Sequence, residues 1–217
     1  MKLTLEKFDA VIFDMDGVLI NSEPFYMEVE KQNFRKLGLN ISNEEHQTFQ
    51  GTATDLMWKI LKSKYEIAYS VDELVEMTNA VVTQYFQSLK VIAPMPGVEK
   101  LLQHLFEKGT PLALASSSYP DVIQLILAKT GLKKYFKTIV DSQMAGASKP
   151  EPDIFLLAAK KLHIPPEKCL VIEDSTNGIK AAKTAGMKAV AFAGPGSESQ
   201  DQSEADWIIR DFGDLIG

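Results

Sequence analysis

The chain has 217 residues, of which 45% are hydrophobic, and this suits one large domain or a domain with a smaller insertion. The formal net charge of −6 argues against a nucleic acid or a membrane surface as partner, because both require a basic face. Residues 1–7 are charged without an apolar signal core, and no membrane-length apolar run follows, so we expect a soluble, cytoplasmic protein.

The first predicted element is a strand over residues 10–13, an apolar run rich in β-branched side chains that is typical of a buried strand. It ends at Asp14 and Asp16, with Gly17 directly after them. Because alternate side chains of a strand point to one face, the two carboxylates would project together beyond the strand end. Two close carboxylates repel each other, and a bound cation or one unequally shared proton relieves that repulsion.

A divalent cation such as Mg²⁺ on Asp14 would keep that carboxylate ionised as a nucleophile and leave Asp16 to act as a general acid. An ordinary polar junction between a strand and a turn is the simpler interpretation. A calcium loop is excluded, because it needs an oxygen ligand at the fifth position and glycine at the sixth, whereas here Gly17 is fourth and Val18 is fifth.

Residues 20–92 carry helical patterns and no second strand pattern, so they predict an inserted helical domain. Ser70 and Glu73 have the spacing of a capping box at the start of the last helix. The predicted helices lie between residues 23 and 37, over 55–64 and over 71–89.

From residue 93 onward, short apolar strands alternate with helices, which predicts an α/β fold with a Rossmann-like parallel sheet flanked by helices. The core would comprise residues 1–19 and 93–217, interrupted by the helical domain at 20–92. Ligands bind at the carboxyl ends of the strands in such a sheet. Strands are predicted at 112–115, 138–140, 170–172, 189–192 and 207–209, and helices at 98–108, 120–130, 152–163 and 176–185.

Polar residues follow three of these strands. Ser116 and Ser117 precede a helix, where hydroxyl and backbone N–H groups bind phosphate well, although serine is also an ordinary helix cap. Lys149 lies in a proline-stiffened loop and offers one cation, although a loop lysine is usually solvated. Glu173 and Asp174 form a second acidic pair suited to Mg²⁺, with capping of the next helix by Asp174 or Ser175 as the alternative.

The order and spacing of these residues resemble those of the haloacid dehalogenase superfamily, and within it those of the β-phosphoglucomutase-like phosphatases and phosphomutases. The first family motif matches residues 14–18, the second Ser116, the third Lys149 and the fourth residues 173–174. The resemblance spans nearly the whole chain, including the helical insertion, which corresponds to the family's cap.

This resemblance implies that Asp14 takes the phosphoryl group, while Asp16 first protonates the leaving oxygen and then, as a base, activates the second acceptor. It also implies Mg²⁺ as the cofactor. Asp14, the main-chain carbonyl of Asp16 and Asp174 would hold the ion, with Glu173 contributing directly or through water.

By the same resemblance, Ser116, Ser117 and Lys149 would bind the phosphate oxygens, with Lys149 also screening the nucleophile. Dehalogenases of the superfamily use the first aspartate without Mg²⁺ and without a second aspartate. The presence of Asp16 and Asp174 therefore argues against dehalogenase chemistry.

The cap segment around Gly51 resembles the specificity loop of the glucose-phosphate mutases. In those enzymes a lysine precedes the glycine and an arginine follows it by three, where this chain has Gln50 and Thr54. Val81 and Tyr26 likewise stand where a lysine and a histidine are usual. A second phosphate would lack a cationic partner, so we favour hydrolysis, with water as the second acceptor, over mutase chemistry.

The preferred prediction is thus a phosphatase for a small sugar or polyol phosphate, since Gln50, Thr52 and Thr54 suggest a neutral polar substrate. Two alternatives stay open: a phosphomutase that uses a sugar bisphosphate, and a phosphate-binding module without turnover. We expect a monomer, because the cap would close over the core.

The remaining candidate residues receive structural interpretations. Cys169, the single cysteine, lies in an apolar segment and is expected to fill the core rather than act as a nucleophile. His46, His104 and His163 fall in helical patterns away from the motifs, so we expect them at the surface. Residues 194–204 are interpreted as a mobile loop without chemistry.

Overall fold

A computed structural model describes residues 3–49 and 52–216 and has at its centre a parallel six-stranded sheet. The strands are β1 (Ala10–Phe13), β2 (Leu112–Ala115), β3 (Thr138–Val140), β4 (Cys169–Glu173), β5 (Lys188–Phe192) and β6 (Trp207–Ile209), in the spatial order β3-β2-β1-β4-β5-β6. They match the predicted strands, except that β4 is longer by one residue at each end and β5 begins one residue earlier.

Strand β1 lies in the middle of the sheet, with Val11 opposite Leu112 of β2 and Leu170 of β4. Its residues alternate between two hydrophobic cores, so that Val11 contributes to one face of the sheet and Ile12 to the other. A strand buried on both faces reads as a continuous apolar run, which is why the sequence pattern identified it. Cys169 is fully buried at the start of β4, as predicted.

Among the described residues, five helices lie between β1 and β2, and the first four of them form the cap. Two helices, α2 (Asn43–Gln47) and α7 (Ser142–Ala145), were not predicted, because segments of five and four residues are too short to establish a helical period. The cap helices are α1 (Glu23–Lys36), α2 (Asn43–Gln47), α3 (Thr54–Lys64) and α4 (Val71–Ser88); the others are α5 (Val98–Glu107), α6 (Pro120–Thr130), α7 (Ser142–Ala145), α8 (Asp153–Leu162) and α9 (Thr176–Thr184).

The cap has a hydrophobic cluster of its own, distinct from the two clusters on the faces of the sheet. Trp58 is fully buried at its centre, and its indole N–H donates a 2.9 Å hydrogen bond to the Thr78 hydroxyl on α4. The capping box predicted for α4 is present, with Ser70 and Glu73 bonded reciprocally. Among the described residues, no helix is both long and apolar enough to cross a bilayer.

A lysine of the core fixes the end of the last cap helix. Lys129 on α6 donates hydrogen bonds to the carbonyl oxygens of Phe86 and Gln87, at 2.8 and 2.9 Å, and also to that of Leu89. These carbonyls belong to the C-terminal end of α4, where backbone acceptors lack partners within the helix and the helix dipole favours a cation. Lys129 therefore satisfies the α4 terminus from the core side.

Candidate active site

The polar residues predicted at the strand ends meet at one edge of the sheet, because parallel strands all direct their carboxyl ends the same way. Asp14 follows β1, and its backbone N–H bonds to the carbonyl of Ile172, which keeps it beside the end of β4. Glu173 ends β4, and Lys149 reaches the same place from the segment after α7. A pocket opens here between the sheet edge and the cap helices α1 and α4.

Lys149 is buried between two carboxylates rather than solvated. Its ammonium lies 2.5 Å from Asp14 Oδ1 and 2.7 Å from Glu173 Oε1, and 4.9 Å from the centre of the Phe155 ring. Burial alone would lower the pKa of Lys149, but the charges of Asp14 and Glu173 raise it, so the amine stays protonated. Burial raises the pKa of Asp14, and Lys149 opposes that rise.

Both oxygens of Glu173 are engaged within the protein. Oε1 accepts from Lys149, while Oε2 accepts from the backbone N–H groups of Asp174 and Ser175 at 2.7 Å and from the Ser175 hydroxyl at 3.0 Å. A side chain at Gly178 would collide with this carboxylate, since its Cβ would lie 1.7 Å from Oε1. Glu173 thus orients Lys149 and the turn that carries Asp174.

Asp14, Glu173 and Asp174 form a candidate metal site, with one carboxylate oxygen of each within 4.8 Å of the others. All three donors are carboxylate oxygens, which suits a hard divalent cation. Asp174 packs directly on Gly17, where the backbone has a φ of +77° and a methyl group would lie 2.0 Å from Asp174 Oδ2. Burial and the charges of Glu173 and Asp14 raise the pKa of Asp174, and a bound cation would relieve that crowding.

Asp16 lies beside this group and is held by serines. The Ser118 hydroxyl donates a 2.7 Å hydrogen bond to Asp16 Oδ2 and is 2.8 Å from the Tyr26 hydroxyl. Burial raises the pKa of Asp16, while the hydroxyls of Ser22, Ser118 and Ser116 oppose the rise. Asp16 Oδ1 is buried without a partner among the described residues.

The other predicted binding residues are distributed around the pocket. Ser117 and Thr54 line it, whereas Ser116 is fully buried, with its hydroxyl accepting from the Ser118 backbone N–H at 3.1 Å. Gln50 and Gly51 lie outside the described residues.

Several pocket residues were missed by sequence reasoning. The segment after β5, interpreted as a mobile loop without chemistry, contributes Pro195, Gly196 and Gln200 to the pocket wall. Gln202 is buried, and its amide donates a 2.7 Å hydrogen bond to the Asp174 carbonyl. This bond ties the segment to the sheet edge that carries Asp14, Glu173 and Asp174, which we call the acidic edge. Glycine and proline mark a loop in the sequence, but no local signal indicates where a loop folds.

The prediction that His46 lies at the surface is wrong, whereas His163 is exposed as expected. His46 is 1% exposed, its Nε2 is 2.6 Å from Glu30 Oε2, and its ring packs edge-on against Phe34. Helix α2 is short and acidic, so its sequence pattern gave no sign that it packs against α1. His104 is half-buried on α5.

Comparison with known proteins agrees with this arrangement. Residues 11–192 match the family model described as haloacid dehalogenase-like hydrolase. The phosphorylated carbohydrates phosphatase of Thermotoga maritima is 33% identical over 182 residues, which cover 84% of this chain and 83% of that protein. Hexitol phosphatase B of Escherichia coli is 30% identical, over 93% of this chain and 89% of the relative.

Solved structures share the same fold. The crystal structure of CbbY from Rhodobacter sphaeroides in complex with phosphate superimposes with a TM-score of 0.85 at 23% identity, covering 94% of this chain and 95% of that one. β-Phosphoglucomutase from Clostridium difficile gives a TM-score of 0.82 at 24% identity, with 96% and 93% covered. The sheet and the inserted cap helices are therefore an arrangement found in solved proteins.

Proposed function

This chain belongs to the family of haloacid dehalogenase-like hydrolases, and from its site we propose that it is a Mg²⁺-dependent phosphatase that cleaves a small sugar or polyol phosphate through an aspartyl-phosphate. The observation that carries the proposal is the buried ion pair of Lys149 with Asp14 and Glu173 beside the hydrogen-bonded Asp16. It joins a carboxylate nucleophile, a fixed cation and a second carboxylate at one pocket.

Asp14 is the proposed nucleophile and Lys149 its electrostatic partner. The 2.5 Å contact opposes the rise that burial imposes on the pKa of Asp14, and it adds positive charge where phosphate oxygens would lie. Phosphoryl transfer depends mainly on positioning and charge neutralisation, and this pair supplies both. Ser116 and Ser117, at the end of β2, are the proposed phosphate-binding serines, together with Lys149.

Asp16 is the proposed general acid and base. Its Oδ2 is oriented by the Ser118 hydroxyl, and its buried, unpartnered Oδ1 provides a position for a proton. The raised pKa of Asp16 favours the protonated form, which can be given to the leaving oxygen of the substrate. The resulting carboxylate then takes a proton from the water that hydrolyses the aspartyl-phosphate.

Mg²⁺ fits the acidic edge through Asp14, Asp174 and the main-chain carbonyl of Asp16. When bound, the ion neutralises charge on the transferring phosphoryl group. Glu173 differs from the other acidic residues because Lys149 and three donors from the following turn already occupy its oxygens. We therefore assign Glu173 mainly to positioning, with any contact to the ion made through water.

The pocket favours hydrolysis over mutase chemistry. Lys149 is the only cation among the described residues that line it, and two carboxylates already bind that lysine. Thr54 and Tyr26, at positions where the mutases carry cationic or basic side chains, also line the pocket. A second phosphate would find no charged partner among these residues, which leaves water as the acceptor. A module without turnover is disfavoured because every motif residue is retained.

The test is phosphorus NMR of the purified protein with Mg²⁺ and a panel of sugar and polyol monophosphates, including β-glucose 1-phosphate with a trace of its bisphosphate. We expect orthophosphate to accumulate from at least one monophosphate, and to be abolished by a chelator and by Asp14→Asn. Conversion of the 1-phosphate into the 6-phosphate without orthophosphate would overturn the proposal in favour of a mutase. No turnover of any phosphate would favour the binding module.

A further inference from the structure

Three side chains on the cap side of the pocket offer carboxylate or amide oxygens as hydrogen-bond acceptors. Glu23 and Glu30 face the pocket from α1, one near the start of the helix and the other two turns later, and Asn79 faces it from α4. We call these three residues the acceptor wall. The core side of the same pocket is the acidic edge with Lys149, so a bound phosphate on that side would direct the rest of its molecule toward the acceptor wall.

Glu30 is fixed rather than mobile. Its Oε2 is 2.6 Å from His46 Nε2, and the Glu30 side chain is 14% exposed while that of His46 is 2% exposed. The His46 ring packs against Phe34 with ring centres 4.9 Å apart, which holds the imidazole in place. A carboxylate accepts hydrogen bonds through both oxygens, so the bond to His46 leaves Glu30 able to accept from a ligand.

Glu23 and Asn79 extend this surface. Glu23, Glu30 and Asp16 line the same pocket. Burial raises the pKa of Glu23 to about 7, and the charges of Glu30 and Asp16 add to the rise. Asn79 Oδ1 is buried without a hydrogen-bond partner among the described residues. Buried polar atoms nearly always have a partner, so this oxygen at the pocket wall is available to a hydrogen-bond donor of a ligand or a water molecule.

We propose that the acceptor wall is the specificity subsite for the part of the substrate that carries no phosphate, and that it binds a neutral chain of hydroxyl groups through Glu30, Glu23 and Asn79. His46 is a positioning residue that holds Glu30 toward the pocket. This inference rests on the proposed phosphatase function and narrows its substrate class to monophosphates of polyols and open-chain sugars.

The same wall disfavours substrates with a second anionic group. A carboxylate or second phosphate at the far end of the substrate would lie against the Glu30 carboxylate, and like charges in a partly desolvated pocket repel. Hydroxyl groups are donors that match the acceptors of this wall, and each such hydrogen bond to a charged group contributes substantially to discrimination.

Sorbitol 6-phosphate and 6-phosphogluconate form a matched pair for the test, because both have six carbons and one phosphate but end in a hydroxymethyl group and a carboxylate. We expect kcat/KM to favour sorbitol 6-phosphate at least tenfold. Glu30→Ala should lower kcat/KM for sorbitol 6-phosphate about tenfold. For p-nitrophenyl phosphate, which has no hydroxyl chain, kcat/KM should change by no more than about twofold. Glu30→Lys should shift the preference at least tenfold toward 6-phosphogluconate.

The matched control is Glu28→Lys, which makes the same charge change on α1 at an exposed position where Glu28 accepts a hydrogen bond from Gln32 of the same helix. It should leave the substrate ratio unchanged. His46→Gln keeps a hydrogen-bond donor for Glu30 and should leave KM for sorbitol 6-phosphate unchanged. His46→Leu should raise that KM, while kcat and the turnover of p-nitrophenyl phosphate are retained.

The two hypotheses fail in different ways. Hydrolysis of p-nitrophenyl phosphate with no effect of Glu30→Ala or Glu30→Lys on the substrate ratio would overturn the acceptor wall and leave the phosphatase intact. A preference for glucosamine 6-phosphate over sorbitol 6-phosphate that Glu30→Ala removes would replace the neutral class by a cationic one. Absence of hydrolysis of every phosphate would instead reject the proposed function.

Discussion

Lys149 Nζ and Glu173 Oε1 lie 2.7 Å apart in the interior, with only 7% and 1% of their side chains exposed. The pair links the segment after α7 to the end of β4. A buried cation with two carboxylate partners contributes to folding mainly through what its loss would leave behind, because Asp14 and Glu173 would then be buried without a counter-charge.

Lys149→Met should therefore lower the free energy of unfolding by about 3 to 5 kcal/mol, as measured by urea unfolding without Mg²⁺. Lys188→Met serves as the control, because Lys188 also pairs with a carboxylate, that of Asp206, but is 53% exposed. We expect it to cost less than about 1 kcal/mol. Equal losses in the two variants would contradict the assigned difference in burial.

Gly17→Ala should weaken Mg²⁺ binding as well as folding. Alanine at a φ of +77° costs about 1 to 2 kcal/mol, and its methyl group would also displace Asp174. Gly131→Ala imposes nearly the same strain at a φ of +71°, and apart from its chain neighbours no atom of the described residues lies within 4 Å of the added carbon. Both variants should lose stability, but only Gly17→Ala should raise the Mg²⁺ concentration for half-maximal activity. An unchanged Mg²⁺ requirement would remove Asp174 from the site.

Ser118→Ala should impair proton transfer by Asp16, because the 2.7 Å hydrogen bond that orients this carboxylate is lost. We expect kcat to fall about tenfold for sorbitol 6-phosphate and less for p-nitrophenyl phosphate, whose leaving group needs no proton. Tyr26→Phe keeps the hydrogen bond between Ser118 and Asp16. It should therefore leave the ratio of kcat for sorbitol 6-phosphate to kcat for p-nitrophenyl phosphate unchanged. Equal losses on both substrates after Ser118→Ala would argue against this role of Asp16.

Asp206→Asn should cost stability at neutral pH and not in acid. Burial alone would raise the pKa of Asp206, but hydrogen bonds from Lys183 and Lys188 lower it below its usual value. A lowered folded-state pKa stabilises the protein above the unfolded pKa, and that contribution disappears as the pH falls through the folded pKa. The variant should be about 1 kcal/mol less stable than the parent at pH 7.

Once the pH has fallen below the lowered folded-state pKa of Asp206, the difference between Asp206→Asn and the parent should shrink toward zero, because the parent carboxyl is then protonated as well. Urea unfolding at the two pH values measures it. Glu6→Gln is a suitable control, since Glu6 pairs with Lys108 at the surface and is 62% exposed. We expect that change to fall within experimental error at both pH values. A gap for Asp206→Asn that persists in acid would assign the effect to packing.

The strands were predictable from the sequence because burial on both faces leaves a local mark. Residues 10–13 and 112–115 are continuous apolar runs, and the polar residues that follow them stand where the chain leaves the sheet. The order of strands then brings Asp14 and Glu173 together, although 159 positions separate them, since β1 and β4 are neighbours. For Asp14 and Glu173, the local sequence pattern and the strand order both predict a position at the same edge of the sheet.

The contacts of the cap could not be predicted in the same way. Nothing near His46 indicates that it bonds to Glu30, 16 positions earlier, because the pairing depends on how α2 packs against α1. Lys149 follows the same logic: a lysine before a proline is usually solvated, and its burial requires two carboxylates from different strands. Pairing across tertiary contacts leaves no periodic trace in a sequence.

The attachment of α4 to Lys129 gives the cap a fixed point on the core. Because the Lys129 ammonium ties the carbonyls at one end of α4 to the core, any movement of the cap relative to the core would be smallest at that end. Helix α4 has 18 residues and is therefore roughly 27 Å long, so a rotation of about 10° would move its Ser70 end by roughly 5 Å. If the cap rotates in this way to exchange substrate, the end of α4 bound to Lys129 would hardly move.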